Sequence, residues 1–306
     1  MKKDLLSIQN LTREDYDKLI EKTMKIKANI PAYYEVLRGR TVVLIFDKPS
    51  LRTRVTFEVA MCQFGGKSIY IPGNDVSLGK RETVADGAKN LSRWVDGIVM
   101  RTFGHEIIEE LAENATVPVI NALTDLEHPC QALACMVTLK EHLGDIMGKT
   151  MVFVGDGNNV AHSLMLAAPL AGMNFIMCSP EGYEPDEKIA SAASSSASEY
   201  GTSYNLIYDP VSAVKGADLV YTDVWASMGQ EAEAAKRARV FKNYQVNSRL
   251  IAHAGKNPLV SHCLPAHRGE EISSEVIDGH HSIVFDEAEN RLHIQKAIIH
   301  ELLGGR

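Results

Sequence analysis

Thr41-Val42-Val43-Leu44-Ile45-Phe46 runs without a break into Asp47-Lys48-Pro49-Ser50-Leu51-Arg52-Thr53-Arg54, and Val55-Thr56-Phe57-Glu58-Val59-Ala60-Met61 follows. The first run is short, apolar and β-branched, which predicts a buried strand. Pro49 disfavours helix at the residue before it, so the chain is expected to turn sharply there. Ser50 is placed to cap the helix that follows. Arg52, Thr53 and Arg54 then fall in the first helical turn, where free N–H groups already carry a partial positive charge. Two guanidiniums and the hydroxyls added there make a strong anion site, best suited to phosphate. Arginines also oppose the usual preference for acids at a helix start, which favours a bound anion over the plainer alternative of surface ion pairs.

Outward from this unit the chain alternates strand and helix. Residues 1–40 read as helical, with Thr12 capping Arg13 to Ala28. Lys67 to Ile71 is a short strand, Pro72 to Lys80 a loop, and Glu82 to Val95 a helix. Gly97 to Met100 is a buried strand that delivers Arg101 at its carboxyl end. Val117 to Ile120 is a strand ending before Asn121, and Leu126-Glu127-His128-Pro129-Cys130-Gln131 opens a helix reaching about His142. A boundary falls near Gly144 to Lys149. Thr150 to Val154 is the next buried strand and enters Gly155-Asp156-Gly157-Asn158-Asn159, then a helix to Gly172. Asn174 to Cys178, Ser203 to Ile207, Asp218 to Tyr221, Leu250 to Ala252 and Val260 to Cys263 read as strands. Glu187 to Tyr200, Glu231 to Phe241 and Glu287 to Leu303 read as helices. The expectation is an α/β fold of two doubly wound parallel-sheet domains, residues 1–143 and 144–286. The last helix, 287–306, is expected to pack back on the first domain.

The totals narrow the function. The 306 residues, 45% of them hydrophobic, suffice for two ordinary domains with their own cores. A formal net charge of −7 leaves no basic excess for a nucleic-acid backbone, so clustered arginines point to a small anionic ligand. No run approaches the ~18 apolar residues of a membrane span, and Met1-Lys2-Lys3-Asp4 lacks an apolar signal core. Five cysteines without a regular framework suggest reduced thiols in a cytoplasm.

Ligands of open parallel sheets collect at the carboxyl ends of strands. The anion loop, Arg101, the His128 turn, the Asn159 turn, Asp223 and Cys263 all fall there. His128, Cys130, Cys135, His262 and Cys263 could serve zinc, but no pair has Cys-x-x-Cys spacing, and no metal is expected. Gly155-Asp156-Gly157 invites a nicotinamide reading, yet Val160 stands where the fingerprint needs its third glycine. Two asparagines there would instead offer amide hydrogen bonds to a polar ligand such as an amino acid. Asp223 is placed to accept an ammonium, and Ser227 with the backbone at Met228 to bind a carboxylate. Cys263 could orient an amine or act as a nucleophile. Arg291 is read at the start of the final helix.

Four strings together resemble the aspartate/ornithine carbamoyltransferase family, on its ornithine branch: Ser50-Leu51-Arg52-Thr53-Arg54, His128-Pro129-Cys130-Gln131, Asp223 through Gly229, and His262-Cys263-Leu264-Pro265. They lie in one collinear order over nearly the whole chain. The resemblance implies that Ser50, Leu51, Arg52 and Thr53 cradle the phosphate of carbamoyl phosphate. Arg101, His128 and Gln131, with Pro129 and Cys130 in the same motif, hold the carbamoyl group. Asn159, Asp223, Ser227 and Met228 hold L-ornithine, Cys263 and Leu264 line the reacting end, and Arg291 joins the carbamoyl-phosphate pocket. It further implies a homotrimer, or a higher assembly of trimers, in which the loop carrying Ser77 and Lys80 reaches a neighbour's site. No cofactor is implied. Competing readings are a carbamoyltransferase for putrescine or an acylated ornithine, an enzyme run in reverse on citrulline, and a non-catalytic carbamoyl-phosphate or amino-acid binder.

Overall fold

A computed structural model describes residues 3–76, 78–79 and 81–304. The chain divides into two compact units, one of residues 1–137 with 289–306 and the other of residues 138–288. Each is built on its own parallel sheet.

In the first unit, β1 (Thr41–Phe46), β2 (Lys67–Pro72), β3 (Gly97–Arg101) and β4 (Val119–Leu123) stand in the order β2-β1-β3-β4. β1 is buried along almost its whole length because it pairs on both edges and is covered on both faces, which is why it reads as a continuous apolar run. The helix Arg52–Gln63 leads from β1 outward to β2, and the chain then returns to β3 on the other side of β1. Strand order therefore reverses between β1 and β3, and the loop after β1 and Arg101 at the end of β3 emerge side by side, Phe46 being paired with Arg101. Phe57, Ala60 and Met61 turn the apolar face of that helix inward.

The final helix is Val284–Leu303, and its C-terminal part packs on the first unit. Glu301 pairs with Lys18 and Lys22, Lys27 donates to Asn290 at 2.9 Å, and the His300 ring meets Tyr33 and Phe64 edge-on. Burial is the first cause that holds the His105, His293 and His300 imidazoles below their ordinary range. The unfolded chain therefore takes up these protons first as pH falls below about 6.5, and stability drops with acidification through that range. Calorimetric melting between pH 7.5 and pH 5 is expected to show this fall. His300→Phe, which keeps the ring and removes the titration, is expected to reduce its slope.

In the second unit, β5 (Thr150–Val154), β6 (Asn174–Cys178), β7 (Tyr204–Ile207), β8 (Leu219–Thr222) and β9 (Leu259–His262) stand in the order β7-β6-β5-β8-β9. Val152, Val154, Val220 and Val260 join Ile251, Ile272 and Val276 in a buried core. Here the order reverses between β5 and β8, so the Gly155–Asn159 turn and Asp223 emerge from neighbouring strands.

Several elements depart from the sequence reading. Leu250 to Ala252 is not a strand: Ser248–Ile251 is a short helix capped by Asn247, whose side chain accepts from the Leu250 N–H at 3.0 Å. A three-residue apolar run carries no period that could have told the two apart. β4 begins at Val119 and continues through Asn121, which a buried strand tolerates because its backbone and side-chain N–H groups donate to Leu5 and Leu6 carbonyls at 2.8 Å. The Glu82 to Val95 helix shrinks to Val84–Leu91, started by the Thr83 hydroxyl accepting from Asp86 N–H. A short helix, Gly73–Val76, interrupts the loop after β2. Of residues 1–40, the described ones (3–40) are helical only in part, with Arg13–Ala28 flanked by 3-10 turns. Glu231 to Phe241 breaks into a 3-10 turn and the helix Ala234–Val240.

Candidate active site

The turn and helix start after β1 form where the sequence places them, with two changes. Leu51, not Ser50, occupies the helix cap position, although the Ser50 hydroxyl still accepts from the Thr53 N–H at 3.3 Å. Leu51 is 74% exposed, so it offers backbone rather than packing. Arg54 leaves the site: its Nε donates to Glu58 at 2.9 Å and its guanidinium lies 3.6 Å over the Tyr70 ring. A guanidinium from a distant part of the chain reaches Thr53 instead. Because the final helix starts at Val284 rather than near Glu289, Arg291 sits two turns inside it, not at its start. It is buried, donates to Thr53 Oγ1 at 2.9 Å, and hydrogen-bonds Gln131 Oε1. Thr53 and Gln131, far apart in sequence, are thus tied by one side chain.

His128 is the meeting point. Its imidazole is buried and held well below its ordinary value, first by burial and then by Arg291, Arg101 and Arg52. The positive charges of Arg291, Arg101 and Arg52 therefore all act on a buried, neutral ring. A neutral imidazole beside arginines can donate to an oxygen that gains negative charge without itself giving up a proton. Pro129 and Cys130 open the helix Pro129–Leu143. The Cys130 thiol donates to the Asn121 carbonyl at 3.7 Å, and burial pushes it up to about 11, so it stays a thiol. Glu127, unremarked in the sequence, is buried and binds Ser7 and the Ile8 N–H, which pins the amino-terminal segment beside the His128 turn. Lys48 is also buried, paired with Asp125 and 4.3 Å over the Phe103 ring. Ser77 and Lys80 lie outside the described residues.

The second unit gathers its groups on the turns after β5, β8 and β9. Asp223 is buried. Its Oδ1 accepts from the Cys263 thiol at 2.9 Å, and its Oδ2 accepts from Asn158 Nδ2 at 2.7 Å. Asn158 in turn caps the helix Asn159–Leu170, accepting from the Val160 and Ala161 N–H groups. The sequence reading placed the ligand contact on Asn159 and missed that Asn158 orients the carboxylate; its position just before an apolar helix was the available signal. Gly157 is required by the packing of the turn itself. A Cβ there would meet Pro185 N at 2.3 Å, so the chain's own backbone approaches closely at this glycine.

Ser227 and Met228 lie on the loop after β8, half-buried and exposed. The loop is anchored through Arg237, which donates to the Trp225 carbonyl at 2.9 Å and pairs with Asp156 at 2.9 Å and Glu233 at 3.0 Å. Burial outweighs that arginine and lifts the Asp156 carboxyl to about 6. Gln230 and Glu231 side chains accept from the Ser227 and Gly229 N–H groups, so this loop presents backbone donors that already hold carboxylate and amide oxygens.

Two groups among the described residues bring three metal-type donors within 4.8 Å: Asp223, His262 and Cys263, and His267, Glu270 and Glu271. In the first, the Cys263 thiol is bonded to Asp223, while His262 Nδ1 and Nε2 engage Leu264 and Glu271. Among the described residues no helix is long and apolar enough to cross a membrane.

Known proteins match both units. The family model described as aspartate/ornithine carbamoyltransferase, carbamoyl-P binding domain, matches residues 3–141, and its Asp/Orn binding domain partner matches residues 147–302. The chain is 52% identical over 305 residues to the ornithine carbamoyltransferase of Thermococcus kodakarensis, covering 99% of this chain and 97% of that one. It is 52% identical over 305 residues to the anabolic ornithine carbamoyltransferase of Pyrococcus furiosus, with the same coverage. The solved ornithine carbamoyltransferase structure from Pyrococcus furiosus superposes with a TM-score of 0.96 at 50% identity, over 99% of this chain and 97% of that one. With family models on both units and such likeness from end to end, the chain belongs to the aspartate/ornithine carbamoyltransferase family.

Proposed function

We propose that this protein transfers the carbamoyl group of carbamoyl phosphate to the side-chain amine of L-ornithine, giving L-citrulline and phosphate in the direction of arginine biosynthesis. The observation that carries the reading is that Arg291 is bound to both Thr53 and Gln131, with Arg101 emerging beside the loop after β1 and a buried His128 acted on by the charges of all three arginines at that end of the first sheet. The first unit binds carbamoyl phosphate: Ser50, Leu51, Arg52 and Thr53 hold the phosphate, Arg291 braces Thr53 and Gln131, and Arg101 and His128 face the carbamoyl oxygen. The second unit binds L-ornithine through Asn159, Asp223, Ser227 and Met228, with Cys263 and Leu264 at the reacting end.

The amine nitrogen attacks the carbamoyl carbon, and its electrons push onto the carbonyl oxygen. Collapse breaks the carbon–oxygen bond to phosphate, which leaves with that bond's electrons, and the nitrogen releases a proton. No electron is exchanged, so no redox cofactor is called for. Arg101, His128 and Thr53 stabilise the oxyanion, and the positive helix start at Arg52 stabilises the leaving phosphate. An amine like that of lysine, with a pKa of ~10.4, is neutral in fewer than about one in a thousand molecules at pH 7. Asp223 and Cys263 orient it, and removal from water favours its neutral form.

The protein acts in the cytoplasm as a homotrimer or a higher assembly of trimers. Its free cysteines suit a reducing compartment. The test is citrulline formation from carbamoyl phosphate with L-ornithine, beside putrescine, N-acetylornithine and aspartate, with light scattering for the assembly. Turnover with L-ornithine alone is expected. Turnover with another amine would overturn the substrate assignment, and a folded protein inactive with all four would be a binder.

A further inference from the structure

Leu264 holds a left-handed backbone, φ 57°, on the turn that carries Cys263. A bulky side chain adopts that region only where the surroundings impose it. The imposing contact is visible. The Leu264 N–H donates to Nδ1 of His262 at 2.8 Å. A backbone N–H is only a donor, so Nδ1 carries no proton, and the ring's proton sits on Nε2. Nε2 lies 3.1 Å from Oε1 of Glu271 and donates to it. The same oxygen accepts from the His267 N–H at 2.6 Å. Glu271 is fully buried, and its own carbonyl accepts from the Val246 N–H at 2.8 Å, so the acceptor is fixed to the body of the second unit.

We propose that Glu271 and His262 are positioning residues for the reaction: Glu271 sets the tautomer and plane of His262, and His262 holds the turn that aims the Cys263 thiol at Asp223. The chain of contacts is continuous, from Glu271 through His262 to Leu264, and by the peptide to Cys263, whose thiol donates to Asp223 at 2.9 Å. Neither residue touches the reacting atoms in this account. The inference rests on the assignment of Asp223 and Cys263 to the amine of L-ornithine, and its test has one arm that does not depend on activity.

The variants are His262→Ala, Glu271→Ala, Glu271→Gln, His262→Asn and His262→Gln, all in a Cys62→Ser background that removes the exposed thiol. The carboxamide oxygen of Asn replaces Nδ1 and can still accept from Leu264, whereas Gln places its amide near Nε2 and leaves Leu264 without an acceptor. The alanine variants are expected to lose about 10²-fold in kcat, the scale of a misplaced reacting group, with carbamoyl-phosphate KM unchanged. His262→Asn and Glu271→Gln are expected to recover most of that loss, and His262→Gln is not. The second arm is the rate of Cys263 alkylation by iodoacetamide, mapped by mass spectrometry. It is expected to change about tenfold in the alanine variants, the worth of one hydrogen bond on the thiol, and to return in His262→Asn. Folded alanine variants with native kcat and native alkylation would overturn the proposal. If the alanine variants do not fold, equal behaviour of His262→Asn and His262→Gln would overturn it. Absent turnover in the unaltered protein would remove the assigned reaction, and the alkylation arm would still decide the positioning.

Discussion

Replacing Arg101 or His128 by alanine is expected to lower kcat by about 10²–10³-fold while the chain stays folded. The developing negative charge falls on the carbamoyl oxygen, and both side chains are fixed before it arrives. Arg101 ends β3 with its backbone paired to β1, His128 directly precedes the helix Pro129–Leu143, and both are buried, so little reorganisation is left for the step. The effect should appear in kcat more than in carbamoyl-phosphate KM, because a fixed donor gains strength only as charge develops. His128 gives a second signature. Burial and then three arginines hold its pKa well below the ordinary value, so it is neutral across the working range. An acid limb near pH 6.5 in the kcat profile should therefore not belong to His128. His128→Gln, which retains an N–H donor, is expected to regain part of the alanine loss. Unchanged kcat with a raised KM in both alanine variants would reassign them to ground-state binding.

Arg237→Ala is expected to cost about 3–5 kcal/mol of stability, because it strands a buried carboxylate. Arg237 is 7% exposed and serves Asp156, Glu233 and the Trp225 carbonyl together, with its guanidinium 5.0 Å over the Tyr183 ring. Asp156 is lifted to about 6 even with this partner. Without Arg237, burial would lift it further. Adding Asp156→Asn removes the stranded charge, so the double variant should recover much of the stability lost, a non-additivity read from denaturant midpoints. The Trp225 carbonyl is not rescued that way. In the double variant L-ornithine KM should remain raised while carbamoyl-phosphate KM stays near native, since Ser227 and Met228 lie just beyond Trp225. Full recovery of L-ornithine KM would show that Arg237 acts only through Asp156.

Local rules determined a large part of this protein. The apolar β1 run, Pro49 and the arginines after it are a strand, a turn and a helix start by neighbour sterics and helix electrostatics alone, and the structure keeps them there. Alternation of short apolar runs with longer helical segments likewise implied two parallel sheets, because parallel strands covered on both faces read as unbroken apolar runs. Thr150–Val154 falls on its predicted residues for that reason, and Glu187–Tyr200 on its own because Asp186 caps it and Gly201 ends it. What sequence spacing could not determine was partnership. Arg54 and Arg291 look alike in the chain, yet Glu58 and Tyr70 take the first while Thr53 and Gln131 take the second. Asn158 and Asn159 are adjacent and chemically identical, yet only the geometry of the helix start turns Asn158 toward Asp223. Glu271 carried no signal in its own neighbourhood, because its partner His262 lies nine residues away across the turn. Local propensity acts over one or two turns of chain. The company a polar group keeps is set by which distant segment packs beside it, and only the tertiary structure decides that.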